Sequence, residues 1–166
     1  GIDGRQGMTE AVREDLSRYT GARPVRSGNG ALHQRQNDVY GAALDSVLLH
    51  SLHSRRIPRR LWPLVQAQAE CAKAVWRQPD QGIWEARGKP RHYVSSKLMC
   101  WVALDRAAEL ANIRGEAALA DSWTQTGSEI KSDILEHGVD KRGVLRQHYE
   151  TDALDASTLL AAIFGF

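Results

Sequence analysis

Apolar residues recur every three or four positions through most of this 166-residue chain, and that spacing predicts amphipathic helices. The pattern covers residues 31–52, 58–76, 95–112 and 116–137, with a shorter stretch at residues 155–163. Segments that alternate apolar and polar residues are scarce, and no Asn-Gly or Asp-Gly pair joins two of them as a hairpin. We therefore predict an all-α fold built from helical hairpins joined by loops.

Proline and glycine indicate where these helices begin and end. Pro58 suits the first turn of a helix, and Gly115 and Gly138 are natural stops. Before residue 31 the chain is rich in Gly and Arg, and only a short helix over residues 9–19 is plausible there, capped by Thr9. Residues 78–94 hold two prolines and no clean period, so they form a long loop, and long loops in helical domains are usually functional.

Composition narrows the class of protein. The chain is 42% apolar, which is enough for a core, and Trp62, Trp76, Trp101 and Trp123 fall at helical core positions. Its 22 basic and 20 acidic residues nearly cancel, so we expect neither a nucleic-acid nor a membrane partner. The basic run at residues 55–60 has no interleaved aromatic residue and is interpreted as a solvated connector between helices.

Cys71 and Cys100 both fall within apolar helical patterns, which favours buried, reduced thiols and a cytoplasmic location over a disulfide. The sequence has no CxxC pair and no Cys/His cluster at zinc spacing, so no metal or cofactor is expected.

The pair Trp84-Glu85 is the strongest candidate for chemistry. An apolar ring beside a carboxyl group disfavours its charged form, which is what a general acid requires. The indole face also suits the C–H face of a sugar ring, and Arg87 can bond sugar hydroxyls or pair with a carboxylate to hold the loop. On composition alone, the alternative is a tryptophan that fills a core gap beside a solvated glutamate.

The run DQGIWEARGKPRHYVSSKLMCWVALDRAAELA, residues 80–111, strongly resembles the general-acid region of glycoside hydrolase family 15, which contains glucoamylases, glucodextranases and bacterial trehalase-like enzymes. Other matching pieces follow in the expected order across essentially the whole chain: GIDG at residues 1–4, RPVR at 23–26, GN at 28–29, QNDVYG at 36–41 and LDAS at 154–157. The resemblance implies a partial (α/α)6 barrel, with the sugar pocket formed by loops at one end.

Family members of this kind hydrolyse α-glucosidic bonds with inversion, and the resemblance assigns the general acid to Glu85. Trp84 then shapes the subsite around the scissile bond. The family's general base lies beyond the segment that matches this chain, so the base is expected outside it. Ala86 stands where fungal-type members have a second glutamate, which fits the bacterial branch better. Both glucoamylase-like and trehalase-like cleavage remain open.

Other polar residues carry two interpretations each. Asp38 either accepts bonds from sugar hydroxyls or caps the helix that follows it. His92 is equally suited to a structural hydrogen bond and to a substrate contact. Lys97 either points at the pocket or pairs with Asp105. The adjacent Asp105 and Arg106 are interpreted as an ion pair, and the carboxylates at positions 80 and 155 as substrate-shell or structural groups.

The ends of the chain suggest an excised piece, because it begins without Met and ends in an apolar run. We therefore expect residues 1–166 to be one segment of a catalytic domain that is incomplete at both ends and inactive alone. The alternative is a non-catalytic helical module, either degenerate or truncated. In either case uncovered helix faces would favour self-association.

Overall fold

Five α-helices account for most of the secondary structure in the described part of the chain. They are α1 (Val39–Ser54), α2 (Trp62–Val75), α3 (Val94–Arg114), α4 (Ala117–His137) and α5 (Leu160–Phe164). Short 3-10 turns precede α2 and α5, at Arg59–Leu61 and Ala156–Leu159. The predicted all-α class is confirmed.

The computed structural model describes residue 7 and residues 9–54 and 57–166. The chain divides into two units, residues 1–34 and residues 35–166. Two sequence features lie outside the described residues, namely the family-like piece at residues 1–4 and part of the basic run, Arg55 and Arg56.

Helix α3 is the central element of the second unit and packs against α1, α2 and α4. Every residue from Val94 to Leu104 is buried, including the polar Ser95, Ser96 and Lys97. A helix that is covered on all sides in this way needs neighbours on each face, which the three surrounding helices supply. Helix α3 ends where predicted, at Gly115, whose φ of 78° permits the left-handed turn.

Four tryptophans form much of the core, as predicted. Trp62, Trp76, Trp101 and Trp123 are 7%, 3%, 9% and 0% exposed. Trp123 of α4 packs against Trp62 of α2 with ring centroids 6.2 Å apart, and its Nε1 donates a 2.7 Å hydrogen bond to Glu70. Buried indoles normally find such a partner for the N–H group.

Helices α1 and α3 approach each other closely at Gly41. A Cβ atom at this position would lie 2.4 Å from the carbonyl oxygen of Met99. Only glycine therefore allows the backbones of the two helices to come this near.

The first unit differs from the prediction. Residues 9–19 do not form a helix; Ala11–Val12 instead pairs with Arg26–Ser27 as a short antiparallel ribbon. The prediction rested on Val12 and Leu16 sharing a helical face, but both are about half exposed, so no core contact stabilises such a helix.

Two further corrections concern the second unit and its cysteines. Helix α1 begins at Val39, eight residues later than the pattern from residue 31 suggests. Both cysteines are free, but only Cys100 is buried, whereas Cys71 is exposed. Burial raises the pKa of the Cys100 thiol to about 12.

Within the described residues, no helix is both long and apolar enough to cross a membrane.

Candidate active site

The loop between α2 and α3 carries Trp84 and Glu85, and we call its residues 82–88 the Trp84 loop. The loop closes on itself through two backbone hydrogen bonds, from Glu85 N to Gly82 O (3.2 Å) and from Ala86 N to Gln81 O (3.0 Å). Gly82 has a φ of 69°, and a Cβ atom there would lie 2.9 Å from the ring of Tyr93. The turn therefore requires glycine for two independent reasons.

Glu85 has a φ of 52°, in the left-handed region that residues other than glycine rarely adopt. Such a conformation costs about 1–2 kcal/mol for a residue with a Cβ atom. Strained positions of this kind cluster at functional sites, so the outlier independently supports a role for this residue.

Trp84 is fixed by a partner that is distant in the sequence. Its Nε1 donates to both carboxylate oxygens of Asp155, at 2.9 and 3.0 Å, although the indole is 61% exposed. Trp84 is thus not a core filler, which was the alternative interpretation of the sequence.

Asp155 is itself held by several donors at the beginning of the last 3-10 turn. Its carboxylate accepts hydrogen bonds from the backbone N and the Oγ of Ser157 and from Nε2 of Gln147. Partial burial opposes its ionisation, but the bonds from Ser157, Trp84 and Gln147 outweigh that effect and lower the pKa of Asp155. The carboxylate therefore stays charged and acceptor-only at neutral pH.

Glu85 and Arg87 have exposed side chains. The indole of Trp84 is also mostly exposed, so the residues of the described chain do not enclose the Glu85 carboxyl group. The structure thus presents an acidic and a basic side chain on a turn with defined backbone geometry. The general-acid role of Glu85 stays a prediction.

A second set of polar side chains lies around the residues that immediately precede α1. Asp80 is 1% exposed, and its Oδ2 accepts a 2.9 Å hydrogen bond from the backbone N of Asn37. Burial raises the pKa of Asp80, against the effect of that bond. Both Asp38 Oδ1 and Asn37 Oδ1 are buried without a hydrogen-bond partner in the described chain. Unsatisfied buried acceptors are costly, and they suit a ligand rich in hydroxyl donors.

His92 stacks on Tyr149, with ring centroids 5.7 Å apart. Its Nδ1 is also buried without a partner among the described residues. Burial, aided by the nearby charge of Lys97, lowers the pKa of His92, so the ring is neutral at pH 7. A neutral imidazole with an unsatisfied nitrogen is compatible with either of its two sequence interpretations.

Lys97 does not pair with Asp105. Its ammonium group is buried, donates a 3.0 Å hydrogen bond to Trp76 O, and lies 3.4 Å from Asp133 Oδ2. The Asp133 carboxylate also accepts a bond from the Tyr149 hydroxyl, and burial together with this carboxylate raises the pKa of that hydroxyl. Local sequence spacing does not reveal this partner, because Asp133 lies on another helix, 36 positions along the chain from Lys97.

The interpretation of Asp105 and Arg106 as an ion pair agrees with the structure. Arg106 donates to Asp105 at 2.5 Å and to Asp45 of α1 at 2.9 Å. Arg106, whose side chain is only 17% exposed, thereby links α1 to α3.

No group of three or more His, Cys, Asp or Glu side chains is arranged to hold a metal ion in the part of the chain that the structure describes. A cleft of about 700 Å³ lies between the end of α2 and α4, next to Asp133. Its lining includes none of the residues that the sequence proposes for the site.

Comparison with known proteins matches residues 3–166 to the model of glycosyl hydrolases family 15. The chain is 52% identical over its full length to "Trehalase" of Mycobacterium tuberculosis and, separately, to "Trehalase" of Mycolicibacterium smegmatis, covering 24% and 25% of those proteins. It is 36% identical to "Trehalase 2" of Sulfolobus acidocaldarius, over 99% of the chain and 29% of that protein. The chain thus spans about a quarter of the length of these relatives. No solved structure is a significant match.

Proposed function

Because this chain belongs to glycosyl hydrolases family 15, we propose that it is one segment of the catalytic domain of an α-glucoside hydrolase whose substrate is trehalose. The observation that carries the proposal is the 52% identity, over the whole chain, to two proteins named trehalase. These comparisons favour trehalase-like over glucoamylase-like cleavage. The proposed domain is an (α/α)6 barrel, to which the five helices contribute in part.

In the proposed reaction Glu85 is the general acid. Its carboxyl group donates a proton to the glycosidic oxygen as the bond to the first glucose breaks, so that the second glucose leaves as a neutral alcohol. A base outside this chain removes a proton from a water molecule, which attacks the anomeric carbon from the opposite face and inverts its configuration. Inverting enzymes hold the two carboxyl groups about 6.5–9.5 Å apart to leave room for that water.

The remaining polar residues bind the sugar in this proposal. Trp84 and Arg87 share the turn with Glu85, and the indole offers an aromatic face with its N–H already committed to Asp155. Asp38 and His92 bring buried polar atoms without protein partners, which sugar hydroxyls would satisfy. Lys97 is assigned a structural role, because its ammonium group is already occupied by Trp76 and Asp133.

We further propose a cytoplasmic protein that needs no nucleic-acid or membrane partner. The two free thiols support a reducing compartment, since extracellular domains more often pair their cysteines. The near balance of 22 basic and 20 acidic residues provides no net field for a polyanion.

The test is Glu85→Gln in the complete protein that contains this chain. We expect kcat for trehalose to fall by about 10²–10⁴-fold, the usual contribution of a general acid, with KM little changed. Glu109→Gln is the matched control, because it removes an exposed carboxylate from the same unit at a distance from the Trp84 loop along α3.

A second substrate separates proton donation from other roles of Glu85. With α-glucosyl fluoride the leaving group departs as fluoride and needs little protonation, so Glu85→Gln should retain most of its activity. An unchanged kcat for trehalose in Glu85→Gln, or equal losses on the two substrates, would contradict the general-acid assignment. Inactivity of the unaltered complete protein toward both substrates would contradict the hydrolase itself and favour a non-catalytic helical module.

A further inference from the structure

We propose that Asp155 is a positioning residue that sets the orientation of Glu85 through the indole of Trp84. The inference rests on the proposed function, since it assigns to Asp155 the task of holding the loop that carries the general acid. Asp155 lies 71 positions from Trp84 in the sequence, and the two side chains meet only because of the fold.

The Trp84 loop is connected to the rest of the unit at its base and at its tip. Two backbone hydrogen bonds, from Glu85 N to Gly82 O and from Ala86 N to Gln81 O, define the turn itself. At its base, Gly82 lies against the ring of Tyr93. At its tip, the bond from Trp84 Nε1 to Asp155 joins the loop to a segment 71 positions along the chain.

Asp155 is suited to this task because its own position is fixed. Ser157 donates two hydrogen bonds to Oδ1, at 2.7 and 2.5 Å, and Gln147 Nε2 donates one to Oδ2 at 2.8 Å. The backbone oxygen of Gln147 in turn accepts a 3.0 Å bond from Val94 N, at the first residue of α3. The indole is thus connected through Asp155 and Gln147 to the start of the most buried helix.

The orientation of the indole bears directly on Glu85, because the two residues are adjacent in one tight turn. Position 85 occupies a narrow left-handed region, so its carboxyl direction depends on the backbone at position 84. In this proposal the bond to Asp155 restrains the turn at position 84, and we expect its loss to let the turn and the adjacent proton donor shift. Misplacement by about 1 Å can cost about 100-fold in rate when geometry is critical.

Charge as well as shape is required at position 155. The carboxylate accepts four donors, from Trp84, Gln147 and twice from Ser157. An asparagine offers one acceptor oxygen and an NH₂ group, which would face at least one of these N–H donors. Trp84 Nε1 donates to both carboxylate oxygens, so Asp155→Asn preserves the size of the side chain and replaces one of the two acceptors of Trp84 whichever way the amide is turned.

The experiment compares Asp155→Asn with Asp152→Asn in the complete protein. Asp152 is the matched control, because it is a nearby carboxylate with an 82% exposed side chain that contacts Arg146 and not the Trp84 loop. For Asp155→Asn we expect kcat for trehalose to fall by about 10–100-fold, with KM within about twofold and a much smaller loss on α-glucosyl fluoride. Asp152→Asn should match the unaltered protein on both substrates.

Trp84→Phe tests the route through the indole and covers the case in which Asp155→Asn fails to fold. It removes the N–H donor and leaves the other three bonds of Asp155 in place, so it should reproduce the selective loss on trehalose. Together the two substitutions should lose no more activity than the larger single loss, because they break the same link.

Three outcomes would overturn the inference: full trehalose activity in Asp155→Asn, equal losses on the two substrates, or multiplicative losses in the double variant. These results are separable from failure of the proposed function, which Glu85→Gln reports by itself. If Glu85→Gln is strongly impaired and Asp155→Asn is not, the acid assignment stands and the positioning role falls.

Discussion

Lys97 illustrates how a single residue can resemble a ligand in the sequence and serve the core in the structure. Its side chain is 5% exposed, and the ammonium group also lies over the rings of Trp76 and Tyr149, at 5.0 and 5.2 Å from their centroids. Burial lowers the pKa of this amine, and Asp133 opposes that shift. The ammonium group thereby connects α3 to the end of α2, through Trp76, and to α4, through Asp133.

We predict that Lys97→Met lowers the free energy of unfolding by about 2 kcal/mol, the usual scale for lost hydrogen bonds to a charged group. Removing one partner of a fully buried ion pair would cost more stability, but the Asp133 side chain is 29% exposed and can rehydrate. Denaturant unfolding of the complete protein measures the change. Lys141→Met, at an exposed turn position, is the control and should be neutral. A raised KM without a stability change would instead return Lys97 to the substrate site.

For single residues, the sequence indicated which side chains were candidates for the site but not which side chains they contact. The Trp84-Glu85 pair was recognisable because the two residues are neighbours in a distinctive motif. The bond from Trp84 to Asp155 and the pair of Lys97 with Asp133 join distant segments, and no local spacing encodes them. The LDAS motif did single out the segment that contains Asp155, so an unexplained aspartate in a recognised motif was the available signal.

At the scale of elements, the packing of α1 on α3 depends on one position without a side chain. Gly41 lies in α1 where ordinary helix propensity would favour alanine by about 1 kcal/mol. The close carbonyl of Met99 is backbone, so it cannot move aside as a flexible side chain would. The two effects have opposite signs, and the steric one should dominate.

We predict that Gly41→Ala destabilises the protein by about 1–3 kcal/mol, the usual cost of overpacking a core. Gly127→Ala is the matched control, since Gly127 also lies within a helix but its Cβ would meet no atom closer than 3.8 Å. That substitution should be neutral or stabilising by up to about 1 kcal/mol. Equal effects of the two substitutions on unfolding would show that the approach of α1 to α3 is not close.

The elements differ in how well the sequence predicted them. The stretches that became α2, α3 and α4 combine a long apolar period with glycine or proline at their ends, so several local signals agree. The proposed helix at residues 9–19 rested on Thr9 as a cap and on two apolar residues that would share a face, and a short helix without core contacts is marginal. The start of α1 was misplaced because the apolar stripe does not become regular until Tyr40.

At the scale of the whole molecule, several large apolar side chains of the second unit are exposed. They lie on α1, on α2, at the ends of α3 and α4, and near the C-terminus: Leu49, Leu52, Leu64, Ile113, Leu135, Leu159 and Ile163, each between 49% and 72% exposed. Exposed apolar surface favours association, which supports the proposal that helices outside these 166 residues cover such faces in the complete domain.

We predict that residues 1–166, produced alone, hydrolyse no trehalose and elute in size-exclusion chromatography with light scattering above the 18.5 kDa of one copy. Inactivity follows from a general base outside the chain, and association follows from the exposed apolar residues. Glu85→Gln in this short form should therefore change nothing. A monodisperse 18.5 kDa species with trehalase activity would contradict both parts of the prediction.

The left-handed backbone at Glu85 has an evolutionary consequence. Glycine or asparagine would occupy this position at lower conformational cost, so backbone preference does not explain a glutamate there. The proposed general-acid role supplies a reason to retain it. In a lineage that no longer needs the chemistry, we expect position 85 to drift toward those residues early, and a glycine or asparagine here would identify a descendant that keeps the scaffold but has lost its catalysis.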